Sequence, residues 1–169
     1  MYTRTIIDDE KHCMEVMGRM EEEFQRKNED FFVEVIKAEP SLVLRVHAVT
    51  ILAELGGEKG VAALSDVLLN DPDPLVRHEA AFSMGQIGLT SANAALERAV
   101  LTDRDPVVRH ESAAALGSIG SQSCTSTLLK ALEDKDEIVR NSARTSLFNL
   151  KFLATYRVGG TARERAPRP

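Results

Sequence analysis

Four arginines, Arg45, Arg77, Arg109 and Arg140, recur at intervals of 32, 32 and 31 residues. Each closes a similar apolar run: Leu-Val-Leu-Arg, Leu-Val-Arg, Val-Val-Arg and Ile-Val-Arg. Asp73, Asp105 and Asp136 stand four residues before their arginines, and Gly56, Gly88 and Gly120 stand eleven residues after theirs. A unit of this length with two apolar helical patterns cannot bury its own apolar face, so it must stack on its neighbours. The pattern predicts an all-α chain, an α-solenoid of about four helical-hairpin repeats.

The second unit shows the anatomy. Val61, Leu64, Val67 and Leu68 recur at helical spacing in a first helix from about Lys59 to Asn70. Asp73 is placed to cap a second helix, with Pro74 at its first position, where a missing N–H costs nothing. Val76, Ala80, Met84 and Ile87 form the buried stripe of that helix, and Gly88 ends it in the left-handed conformation. The third unit repeats this with Asp105, Pro106, Val108, Leu116, Ile119 and Gly120. The first unit is Glu29 to Gly57 and the fourth Ser121 to Leu150, where Leu150–Lys151 replaces the terminal glycine. Ahead of the units, Asp9 to Lys27 reads as an added amphipathic helix with Cys13, Val16, Met17, Met20 and Phe24 on one side. The repeat domain thus occupies residues 1–155, and residues 156–169, without periodicity, read as a disordered tail. The capping aspartates and the arginines one turn later predict a charged ladder that keeps stacked units in register.

Composition narrows the function classes. The formal charge of −5 opposes nucleic acid as the main partner and is compatible with a basic protein substrate. Two cysteines far apart, Cys13 and Cys124, read as free thiols in a reducing cytoplasm. No apolar run approaches the ~20 residues of a membrane span, and Met1 to Asp9 has no apolar core of a leader peptide. No phosphate-cradling loop and no nucleophile–base pair stands out.

One doubled motif is not demanded by stacking. His78–Glu79 recurs as His110–Glu111, whereas the first unit has Val46–His47 at that point and the fourth Asn141–Ser142. Two imidazoles and two carboxylates on adjacent helices suit a divalent transition metal, iron in particular. With neighbouring helices about 8–10 Å apart, His78 and His110 can converge on one ion, with the glutamates serving the same ion or a second. The alternative is a pair of surface His–Glu motifs copied by duplication. Gly85 and Gly117 each follow their histidine by seven residues, almost on its azimuth. Glycine inside a helix costs about 1 kcal/mol relative to alanine, so something approaches that face closely: a ligand or a neighbouring helix.

Leu55–Gly57, Arg77–Gln86 and Val108–Gly120, in this order, resemble the deoxyhypusine hydroxylases. The resemblance covers about Ser41 to Leu150 and implies a HEAT-like repeat fold with a non-haem di-iron centre. It implies an oxygen-dependent hydroxylation of a modified lysine on a protein. Carried over residue by residue, it names His78, Glu79, His110 and Glu111 as metal ligands, and His47, which aligns with Glu79, as an auxiliary candidate. The family enzyme has two similar halves with the metals between them, and this chain matches one. The resemblance therefore implies that a homodimer completes a dinuclear site. Two other readings stand beside it: a non-catalytic repeat scaffold that binds a protein, and an iron-storing or iron-delivering module.

Overall fold

The computed structural model describes the backbone of residues 2–163 and the side chains of residues 10–156. Among the described residues there are nine α-helices and no strand. Helix α1 (Tyr2–Gln25) precedes four hairpins. These are α2 (Glu29–Ala38) with α3 (Leu42–Leu55), and α4 (Gly57–Asn70) with α5 (Pro74–Ile87). They are followed by α6 (Asn93–Thr102) with α7 (Pro106–Ile119), and α8 (Thr125–Ala131) with α9 (Glu137–Arg163). The second helices α3, α5, α7 and α9 pack in sequence as one layer, and the first helices form the other. No helix of the described residues is long and apolar enough to cross a membrane.

Local chemistry sets the helix ends. Ser41, Asp73 and Asp105 accept backbone N–H groups of Leu44, Leu75 and Val107 through their side chains, and Pro74 and Pro106 open their helices. Gly88 and Gly120 end α5 and α7 at φ of 73° and 72°, a region that favours glycine. In α9 that register holds Lys151, and the helix runs on to Arg163. It therefore enters the segment read as a tail, of which residues 164–169 lie outside the described residues. The added N-terminal helix begins at Tyr2 rather than Asp9.

The apolar stripes meet between the layers. Leu64, Leu68, Val76, Ala80, Met84, Val108 and Leu116 are fully buried. On α1, Met20 is buried and Cys13, Val16 and Phe24 pack partly against the core, while Met17 faces solvent. Both cysteines are free, and burial pushes the Cys124 thiol up to about 11, which keeps it protonated and inert.

The charged ladder is present, but of the acids expected from the sequence only Asp136 takes part in it. Asp73 and Asp105 spend their carboxylates on capping. The arginines reach instead to Asp71, Asp103 and Asp134, each two residues before a helix cap. Arg77 is only 4% exposed and grips Asp103 of the next unit with two bonds of 2.8 and 2.9 Å. Arg109 does the same to Asp134 at 2.8 and 2.9 Å, and adds Asp136 at 2.6 Å. Arg45 holds Asp71 more loosely at 3.4 Å. Each arginine also donates Nη1 to a carbonyl of its own interhelical turn: Arg45 to Glu39, Arg77 to Asp71, Arg109 to Asp103 and Arg140 to Asp134. The same aspartates accept the N–H of the capping residue, so turn, cap and neighbour are tied at one point.

Asp103→Ala leaves the buried guanidinium of Arg77 without its partner. It is expected to cost about 3–5 kcal/mol in urea unfolding, far more than removal of an exposed carboxylate. The hydrogen bond from Arg109 holds the Asp134 carboxyl below its ordinary range, although burial opposes it. The stabilisation is then complete above the unfolded-state value and is lost as pH falls through the folded one. Acidification below roughly pH 4 is expected to lower the urea midpoint, and Asp134→Asn is expected to flatten that dependence.

Candidate metal-binding face

Glycines bring the second helices close. A Cβ on Gly85 would lie 3.0 Å from Ala115 of α7, and one on Gly117 would lie 2.4–2.8 Å from Ser146 of α9. The close approach inferred from the sequence is therefore a neighbouring helix. Ser146 uses it to donate to the Ala113 carbonyl at 2.8 Å.

Two turns earlier, the side chains on the same faces meet across the helix pairs. His78 Nε2 lies 3.4 Å from Glu111 Oε2, between α5 and α7. His110 Nδ1 is hydrogen-bonded to Ser142 Oγ, between α7 and α9. The contact follows one rule: the histidine register of a unit meets the glutamate register of the next. In the fourth unit that register holds serine. Glu79, whose register faces the first unit, accepts a hydrogen bond from Thr50 at 3.5 Å. His47 is exposed.

The structure thus brings His78 and Glu111 together, and sends His110 and Glu79 to outer neighbours rather than to a common point with them. Sequence reasoning missed Ser142 and Thr50. The repeat offset could have found Ser142, which aligns with Glu111; nothing in the register marks Thr50, which aligns with Phe82 and Ala114.

The hydrogen bond to Glu111 raises the His78 pKa, with burial opposing and the charges of Glu111, Glu79 and Asp105 assisting. His78 Nδ1 is buried and makes no hydrogen bond within the chain. The ligand chemistry fits a divalent transition metal: an imidazole Nε2 facing a carboxylate. So does the spacing, since two atoms bound about 2.1 Å from one metal at tetrahedral or octahedral angles lie roughly 3.0–3.4 Å apart. Within one chain the count is short. Among the described residues, no three His, Cys, Asp or Glu side chains are grouped closely enough to hold an ion.

The face around the pair is partly apolar. Val43, Leu75, Val107 and Ile138 stand at one register near the starts of the second helices, all exposed. A surface cavity of about 400 Å³ between α7 and α9 is lined by His110, Ala114, Ile138, Ser142 and Thr145.

The family model for HEAT repeats matches residues 29–117 and 98–151, which span all four hairpins. The chain belongs to the HEAT-repeat family. Among solved structures, human deoxyhypusine hydroxylase in complex with glycerol is 29% identical, with a TM-score of 0.69. The match covers 75% of this HEAT-repeat chain and 44% of the hydroxylase chain. The complex of CpcE and CpcF of phycocyanin lyase from a Nostoc species matches at 25% identity and a TM-score of 0.57. There the match covers 72% of this chain and 52% of the other. The chain therefore spans about half the length of either relative. No curated protein matches it by sequence.

The helix contact at Gly117 is open to a direct check. Gly117→Ala forces a methyl into Ser146 and is expected to destabilise by about 1–3 kcal/mol in urea unfolding, against a propensity gain of about 1 kcal/mol. Gly85→Ala, with a milder approach, is expected to be close to neutral. Adding Ser146→Gly to Gly117→Ala should recover part of the loss.

Proposed function

We propose that this HEAT-repeat protein binds non-haem iron on its second-helix face, with His78, Glu79, His110 and Glu111 as the ligand set. The observation that carries the reading is the His78–Glu111 pair: two metal-binding groups from the doubled motif, on adjacent helices, at a separation that one ion can bridge. The similarity to a deoxyhypusine hydroxylase supports iron as the metal. Because one chain supplies too few converging groups, a second copy facing the first completes the site, giving an isologous dimer. The exposed row Val43, Leu75, Val107 and Ile138 provides apolar surface for that contact. Bound iron would supply oxygen activation for hydroxylation of a lysine derivative on a basic protein, and this chain's residues would hold and orient the metal. Two free thiols suit a reducing, cytoplasmic setting.

A second reading has its own support. Each of the four side chains has a partner in the chain, namely Glu111 for His78, Ser142 for His110 and Thr50 for Glu79. A scaffold that uses these pairs for packing, and binds a partner on the same face, needs no metal.

Anaerobic reconstitution with ferrous iron separates the two. The native protein is expected to retain iron through gel filtration, and His78→Ala/His110→Ala is expected to lose it with its fold intact by circular dichroism. Native protein that retains no iron would exclude the metal reading and leave the scaffold. A strict monomer holding two irons would exclude the dimer. Turnover of a deoxyhypusine-bearing protein under oxygen then distinguishes a hydroxylase from a storage module.

A further inference from the structure

The two ends of the solenoid differ in a way that stacking does not require. At the C-terminal end, Phe148, Phe152 and Tyr156 lie at successive helical turns of α9 and are 69%, 58% and 72% exposed. The rings of Phe152 and Tyr156 stack at 6.2 Å between centroids. This ridge holds three of the chain's eight aromatic residues, six Phe and two Tyr. Three large exposed rings in one row form an apolar surface that a solvated helix face does not need, so the ridge marks a contact.

The ridge does not continue the repeat stack. Phe148 stands in the register of Gly85 and Gly117, the positions that let the next second helix approach. A further unit in the same register would meet a phenyl ring where only hydrogen fits. The partner of this end must therefore be of another kind.

Charge identifies it. On the described part of α9, Arg140, Arg144 and Lys151 outweigh Glu137. Arg140, among the described residues, donates only to carbonyls of its own turn, Asp134 and Lys135. The opposite end is acidic. From Glu10 onward α1 carries Glu10, Glu15, Glu21, Glu22 and Glu23 against Lys11 and Arg19, and Arg19 lies over the Phe31 ring at 5.1 Å. Met14 and Met17 are exposed between Glu10 and Glu21 on one flank of that helix. That flank is about 16 Å long and the aromatic ridge about 12 Å, at 1.5 Å per residue.

We propose that this protein associates head to tail, the aromatic ridge of α9 in one copy packing on the methionine flank of α1 in the next. Thioether–aromatic contacts supply the apolar part, and the opposite charges of the two ends set orientation. Pairing of two α9 ridges would instead place like charges together. A heterologous contact of this kind leaves a free head and a free tail after each addition, so it builds chains of copies that grow with concentration, or rings where the rotation between copies closes. It involves neither the second-helix face nor its metal ligands.

Sedimentation velocity of the full chain, with chelator present to remove metal-bridged contacts, tests the proposal. The native protein is expected to gain mass with concentration and to lose that gain as salt screens the charges. Met14→Lys/Met17→Lys blocks the head and Phe148→Asp/Phe152→Asp blocks the tail. All four positions are exposed, and melting curves check each fold. Neither variant alone is expected to gain mass through this contact. Their equimolar mixture, which pairs one intact tail with one intact head, is expected to rise about twofold over either variant and no further. A native mass independent of concentration overturns the proposal. So does a head-blocked variant that associates like the native chain, or a mixture no heavier than its parts.

Discussion

Each ladder arginine is bonded to two units at once, and the register of the whole array depends on that. Arg77 holds the carbonyl of Asp71 in its own turn and the carboxylate of Asp103 in the next. A slip of one unit against the other would strand a guanidinium in a nearly dry environment, a far larger penalty than loss of a surface ion pair. The apolar core alone would tolerate small slips, because Leu, Val and Ala repack readily. The ladder does not. It begins with a substitute: in the first unit Glu39 takes the place of the aspartates, and His12 of α1 lies 3.0 Å from it in place of an arginine. Thus α1 acts as the donor that a preceding unit would have supplied. Among the described residues Arg140 bonds only to carbonyls of its own turn.

With the units fixed at their turns, the glycines fix the spacing of the second helices. At Gly85 and Gly117 backbones approach within the reach of a methyl group. Two turns away, that spacing brings His78 to Glu111 and His110 to Ser142. A helix pair held apart by a larger residue at Gly85 would open the imidazole–carboxylate gap. The packing residues and the candidate ligands are therefore one assembly, in which the former determine the distance between the latter.

The fold was legible because its signals repeat. Arg45, Arg77, Arg109 and Arg140, with Pro74, Pro106, Gly88 and Gly120, mark the same helix boundaries several times over. The partners of the arginines were less legible. Asp73 and Asp105 lie in the obvious place, one turn before an arginine, but a capping carboxylate is already occupied, and the recurrence of Asp71, Asp103 and Asp134 carries the ladder. Helical glycine pointed correctly to a close approach without naming what approached. From residue 156 onward low apolar periodicity reads as a tail, and the helix α9 runs on to Arg163 all the same, because a helix needs no buried stripe to continue from one already packed. In the candidate site, motif identity was visible from sequence, but which copy contacts which is a matter of superhelical direction that no single unit encodes.

That direction has a consequence for any metal on this face. Pairing runs diagonally, from the histidine of one unit to the glutamate of the following one. Two consecutive motifs therefore yield one internal pair, His78 with Glu111, and leave Glu79 and His110 at the two ends of the row. Their neighbours there are the hydroxyls of Thr50 and Ser142. A further motif would place a carboxylate at Ser142 and, in the first unit, an imidazole at Val46. Lengthening the row with more repeats would add pairs along the array, each separated from the last by a helix spacing of about 8–10 Å. It would not gather more donors around one ion. Further protein ligands for an ion at His78 and Glu111 have to come from across the face, where a second array can present its own pair.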